Sequence, residues 1–176
     1  MKNIITALFA AAFVLPAVAE EKGFTSLFDG KTLKGWDGKK EFWSVQDGAI
    51  QGKTTKEIPT KGNTFIIWKG GTVADFELKF EYRFLTKSGN SGCQYRSEDM
   101  GNNVVKGYQG DFEAGTRFSG INYGEKTGRG ILADRGTKTT LGDGKTKKKV
   151  ERFGDSAELQ KKLKGQGEWN TMHINA

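Results

Sequence analysis

The sequence predicts an all-β fold, a two-sheet sandwich or jelly roll with one short helix, and two observations predict it. Short stretches with period-two alternation recur along the chain, separated by glycine-rich turns. The clearest is Phe76–Phe84, where Phe76, Leu78, Phe80, Tyr82 and Phe84 share one face and Glu77, Lys79, Glu81 and Arg83 the other. A helix would scatter these aromatics around its circumference, so the period argues for a strand with one buried and one wet face.

The N-terminus reads as an export signal. A short basic start with Lys2, an apolar middle and the small-x-small end Ala17-Val18-Ala19 predict cleavage before Glu20, leaving one jelly-roll domain over 20–176. A membrane anchor fits less well, because the apolar run is short, is broken by Pro16 and meets Glu20-Glu21 directly. The expected location is therefore periplasmic or extracellular, with no stable membrane insertion after processing.

From Gly23 to Trp36 the apolar residues are spaced around an Asp29-Gly30 turn that ties down the start of the domain. Phe42–Gln51 predicts a hairpin: Asp47-Gly48 suits a type I′ turn, which sets Val45 opposite Ile50 and Ser44 opposite Gln51. Lys53–Asn63, with Pro59, reads as a loop, and Thr64–Trp68 as the next strand, closed by Gly70-Gly71. After the Phe76–Phe84 strand, Lys87–Asn90 makes a turn into Ser88-Gly-Asn-Ser-Gly-Cys-Gln-Tyr-Arg-Ser97, a further strand answered by Gly107-Tyr-Gln-Gly-Asp-Phe-Glu113.

These two runs hold the candidate site. Alternation puts Gly92, Gln94 and Arg96 on one face of the first, and Gln109, Asp111 and Glu113 on one face of the second, while Tyr108 and Phe112 turn to the core. Polar side chains over low glycines describe a floor for a polar ligand such as a sugar. Beyond Glu113 the texture becomes glycine-rich and polar, as in loops; from there Tyr123, Glu125 and Arg129 are expected to reach back over the floor.

The basic run Lys145–Arg152 reads as a solvated loop. It supplies much of the formal net charge of +7, which loss of Lys2 lowers by one. Nucleic acid is not an expected partner, because the run lacks interleaved aromatics on a known module. The single helix is placed at Asp155-Ser-Ala-Glu158, a capping box followed by Leu159 and Leu163, with Gly165 as its stop. Finally Glu168–Ala176 begins a strand with Met172, Ile174 and Ala176 on one face and ends inside it, so C-terminal truncation is expected. Cys93 has no partner for a disulfide and reads as a small buried side chain. His173 stands alone and no ligand spacing recurs, so neither metal nor cofactor is expected.

Phe24–Trp36, Asn90-Ser-Gly-Cys-Gln-Tyr-Arg96, Val105-Lys-Gly-Tyr-Gln-Gly-Asp111, Gly128-Arg-Gly-Ile-Leu-Ala133 and Trp169-Asn170 together, in this order, resemble the 3-keto-disaccharide hydrolase family. The resemblance implies a concanavalin A-like jelly roll in an exported bacterial protein of sugar breakdown, with a 3-keto sugar glycoside as its partner. Members continue for several strands after the Trp-Asn position, and Cys93 departs from their usual aliphatic residue. A ketone at C3 acidifies the C2 hydrogen, so a base can form the enolate and expel the C1 substituent before water adds. On facing and side-chain chemistry, Asp111 is the expected base, Arg96 the enolate clamp and Glu113 or Glu125 the acid, with Gln94, Gln109, Tyr123 and Arg129 holding substrate. Two alternatives stay open: a non-catalytic, lectin-like sugar-binding module, and a retaining glucanase using Asp111 and Glu113 as its carboxylate pair.

Overall fold

The computed structural model describes residues 21–143 and 147–176. The expected signal segment, 1–19, lies outside the described residues, as do residues 144–146, which take in the start of the basic run. The chain runs through β1 (Trp36–Asp37), β2 (Trp43–Gln46), β3 (Ala49–Gly52), β4 (Ile67–Trp68), β5 (Glu77–Tyr82), β6 (Asn90–Asp99) and β7 (Val105–Glu113). It continues through β8 (Asn122–Glu125), β9 (Gly130–Ala133), β10 (Thr137–Leu141), β11 (Lys147–Arg152), helix α1 (Ser156–Gln160) and β12 (Asn170–Asn175). All strand pairs are antiparallel. The result is the β-sandwich of jelly-roll type that the alternation predicts.

One layer is the four-stranded sheet β6-β7-β8-β9, and β5 paired with β12 lies against it. The two meet through aromatic side chains. Phe112 of β7 stacks on Tyr82 at 4.3 Å between ring centroids and lies 6.0 Å from Phe80 and 6.1 Å from Phe84. Beside it Gly110 leaves room for Ile174 and Met172 of β12, whose side-chain ends come within 4 Å of where a Cβ would stand. Among the described residues the buried apolar ones are Val105, Ile121, Leu132 and Ile174. On β5 the even residues Leu78, Phe80 and Tyr82 are half-buried and Glu77, Lys79 and Glu81 are exposed, as the alternation requires.

The β2–β3 hairpin has the expected register, Val45 opposite Ile50 and Ser44 opposite Gln51. Asp47 and Gly48 both take positive φ, 51° and 75°, as a type I′ turn demands. At the N-terminal turn the Asp29 carboxylate accepts from the backbone N–H groups of Lys31 and Thr32 and from the Thr32 hydroxyl. Those bonds, the Thr32 hydroxyl first, hold its pKa down to about 2. Helix α1 is shorter than its sequence pattern, and half of the capping box is as read: Asp155 accepts from the N–H groups of Ala157 and Glu158, while the Glu158 carboxylate pairs with Lys161.

Two stretches read as loops are strands. Gly-rich 119–135 forms β8 and β9, which complete the four-stranded sheet. The basic run supplies β11, paired with β10 from Thr137–Arg152 to Leu141–Lys147. Glycine content misled in the first case, because Gly124 and Gly130 pair with each other across the hairpin.

Candidate active site

Across the sheet, residues directly opposite share a face, so the register defines the floor. Gly92 stands opposite Asp111, Gln94 opposite Gln109, Gln109 opposite Tyr123 and Gly107 opposite Glu125. β6, β7 and β8 thus bring Gln94, Gln109, Asp111, Tyr123 and Glu125 to one face. The other face of the same strands carries Tyr95, Tyr108 and Phe112. There Tyr95 and Tyr108 stack at 5.8 Å, and the Tyr95 hydroxyl takes a 2.7 Å hydrogen bond from Asn122.

The glycines keep the floor low. A Cβ on Gly92 would stand 2.6 Å from two carbons of the Gln109 side chain, and one on Gly107 would stand 2.2 Å from the Ser97 hydroxyl. Freed of those methyls, the polar side chains close into a row. Ser97 Oγ donates to Gln94 Oε1 at 2.8 Å, Gln94 Nε2 donates to Gln109 Oε1 at 2.6 Å, and Gln109 Nε2 donates to Asp111 Oδ1. Glu125 takes a 3.1 Å bond from Asn63, which comes 62 residues earlier in the chain.

The inner part of this floor is dry, while Gln94 and Tyr123 are half-buried and Ser97 is exposed at its rim. Asp111 is 5%, Gln109 6% and Glu125 8% exposed. Burial pushes the Asp111 carboxyl above the ordinary carboxylate range; the Gln109 bond opposes that rise, and the nearby Glu125 and Glu113 carboxylates add to it. A carboxyl tuned upward beside a second one is the setting in which general acid–base chemistry is found.

Arg96 and Glu113 do not join this floor. The strand alternation that put Arg96 beside Gln94 fails at a bulge, where Tyr95 still faces Tyr108 but Glu98 faces Lys106, so Arg96 and Ser97 together oppose Gly107. Arg96 takes φ 46° and is exposed, its Nη2 3.0 Å from Asp75. Ser97 takes the place on the floor that alternation gave to Arg96. Glu113 points its Oε1 at the backbone N–H groups of Arg117 and Phe118, so its carboxylate holds the 114–119 loop. It lines a separate cavity of about 340 Å³ with Tyr82, Phe84, Gln160, Leu163 and Asn170. Arg129 turns toward the end of β10, where Nη2 donates to the Gly142 carbonyl at 2.8 Å; its Nε is buried and has no partner among the described residues.

Sequence reasoning missed Ser97 and Asn63. A polar serine after an arginine carries no sign of a bulge, although Gly107 opposite it was a hint; Asn63 gave no signal in a loop. The Cys93 thiol is pushed up to about 11 by burial, which makes it a poor nucleophile. Among the described residues no group of three or more His, Cys, Asp and Glu is placed to hold a metal. An open hollow of about 530 Å³ beside Ser26–Asp29 and Lys34-Gly35 is lined by none of the floor residues.

Comparison with known proteins agrees with the motifs. Over 107 residues the chain is 30% identical to a 3-keto-disaccharide hydrolase of Bacteroides thetaiotaomicron, covering 52% of this chain and 35% of that protein. The chain thus matches about a third of that relative's length. No solved structure matches. Residues 23–176 match the model of the 3-keto-alpha-glucoside-1,2-lyase-like domain, and the chain belongs to that family.

Proposed function

We propose that this chain is a carbohydrate-active enzyme that cleaves 3-keto glycosides, with Asp111 as general base. Family membership supports the substrate class, and the observation that carries the site is the buried Asp111 carboxyl at the end of the Ser97–Gln94–Gln109 row, beside Glu125. Asp111 takes the C2 proton, whose C–H electrons form the enolate with the C3 carbonyl. The enolate re-forms the ketone as it expels the C1 oxygen substituent, leaving a C1=C2 double bond. Glu125 protonates the departing oxygen. Water then adds its oxygen to C1 and gives its spare proton to the Glu125 carboxylate, while C2 regains a proton from Asp111. Gln94 and Gln109 each keep a second amide hydrogen outside the row, and these, with the Tyr123 hydroxyl, orient sugar oxygens and take up enolate charge.

The retaining-glucanase reading weakens at Glu113, because that carboxylate is held by two backbone N–H groups rather than free beside Asp111. Turnover of a 3-keto glucoside and of the matching unoxidised glucoside, measured side by side, tests the proposal. Cleavage of the keto substrate alone, lost in Asp111→Asn by about a hundredfold or more, is the expected result. Cleavage of both substrates, or keto cleavage that survives Asp111→Asn, would overturn the mechanism. Binding without cleavage of either would leave a lectin-like module. Export is proposed with it, and a mature N-terminus at Glu20 in protein recovered outside the cytoplasm is the expected observation.

A further inference from the structure

We propose that Ser97, Gln94 and Gln109 form a reversible hydrogen-bond chain that turns round when Asp111 gains or loses a proton, so that one carboxyl serves first as base and then as acid. The inference rests on Asp111 being the base, and it adds the means by which the C2 proton returns.

The starting observation is at the far end of the row. The Ser97 hydroxyl carries one hydrogen but has two acceptors in reach, Gln94 Oε1 at 2.8 Å and the Tyr95 carbonyl at 2.9 Å. It can serve only one at a time. With Asp111 ionised, every donor points toward the carboxylate: Ser97 O–H to Gln94, Gln94 N–H to Gln109, Gln109 N–H to Asp111. With Asp111 protonated, a half-turn of each amide reverses all of these. Asp111 O–H then donates to Gln109 Oε1, Gln109 N–H to Gln94 Oε1, and Gln94 N–H to Ser97 Oγ, whose hydrogen swings to the Tyr95 carbonyl. Each partner is satisfied in both arrangements, and an amide keeps its shape under a half-turn.

The surroundings favour such a chain. Gln109 and Asp111 are buried away from bulk water, so an unsatisfied donor or acceptor there is costly and water is poorly placed to substitute. Among the described residues, the charged groups close enough to act on Asp111 are the carboxylates of Glu125 on β8 and of Glu113 on its own strand, the latter turned to the 114–119 loop; opposite it on β6 stands Gly92, which carries none. Without a fixed cation against it, Asp111 can change its charge and the row can follow. In the reaction, Asp111 takes the proton from C2, holds it while the C1–O bond breaks and water adds at C1, and returns it to C2. Ser97, Gln94 and Gln109 act as positioning residues.

The test is a pH titration by NMR of the intact chain, following the Asp111 carboxyl carbon and the side-chain amides of Gln94 and Gln109. The expected result is that Gln94, one residue removed from Asp111 in the row, moves with the same midpoint as Asp111. In Ser97→Ala the Gln94 response should fall at least about twofold, the loss of one of its two partners in the row, while Asp111 still titrates; Ser97→Thr should restore it. Should Ser97→Ala fail to fold, Asp111→Asn serves instead, and there the Gln94 titration should vanish. A row in which Gln109 alone responds, with the proton lodging on Asp111 Oδ2, would overturn the proposal. Turnover is read separately: Ser97→Ala should lower kcat about tenfold with KM little changed, the size of one hydrogen bond. Amides that titrate together while Ser97→Ala and Asp111→Asn both turn over normally would overturn the catalytic reading and leave the chain standing.

Discussion

Asp111 is the residue at which stability and function pull apart. Its folded-state pKa is raised, burial being the largest cause, so the fold favours the protonated form. The stability that this contributes is fully present below the unfolded pKa and is lost as pH rises through the folded value. At neutral pH an ionised Asp111 therefore costs stability. Asp111→Asn, neutral at every pH, should raise Tm at pH 7, with the gain shrinking as pH falls from the raised folded pKa to the ordinary carboxylate value and levelling off below it. Thermal melts at a series of pH values check this, and a variant that is less stable than the parent at pH 7 would show that the Gln109 bond outweighs burial. Gly92 gives a second residue-scale prediction. A methyl there meets the flexible end of Gln109, which can yield, so Gly92→Ala should cost only about 1–2 kcal/mol in stability. The displaced amide would leave Asp111, and turnover should fall far more than stability, as paired melts and assays would reveal.

At the scale of elements, the bulge in β6 decides what the floor is made of. Arg96 sits in the left-handed region, where a side chain is strained and glycine is not, and its one ion pair is with an exposed partner and contributes little. Arg96→Gly should stabilise the fold by about 0.5–1 kcal/mol in chemical denaturation, the left-handed penalty of about 1–2 kcal/mol less the chain entropy that glycine adds, and leave turnover within a few-fold. A collapse of kcat would restore Arg96 to the enolate. Strands with a strict period were legible from sequence because burial enforces the period: β5 and the β2–β3 hairpin lie where read. The floor was legible as far as Gln94, Gln109 and Asp111 for the same reason. Past Tyr95 one inserted residue exchanged Arg96 for Ser97, and no local pattern announces such an insertion. The β8 and β10–β11 strands were hidden because glycines and lysines, poor strand formers alone, pair here through register with neighbours far from them in composition.

At the scale of the whole molecule, the polar floor exists because the opposite face of the same strands is anchored. β7 carries Gln109 and Asp111 upward and Tyr108 and Phe112 downward, so any shift of Phe112 in the core moves the carboxylate on the adjacent residue. Phe112 is the ring on which Phe80, Tyr82 and Phe84 converge, and β5 reaches the four-stranded sheet largely through it. Removing it leaves a void between the layers that the half-buried neighbours can only partly fill. Phe112→Ala should therefore cost about 2–4 kcal/mol, a large share of the roughly 5–15 kcal/mol that holds a domain of this size, whereas Phe112→Leu, which keeps most of the volume, should cost about 1–2 kcal/mol. Urea unfolding followed at once by tryptophan fluorescence and far-ultraviolet circular dichroism measures both. If the two layers stabilise each other, the probes shift together and each variant keeps one transition. A variant in which one signal moves and the other stays would mean that β5 and β12 unfold apart from the sheet bearing the site, and the coupling between core and floor would then have to be sought elsewhere than in Phe112.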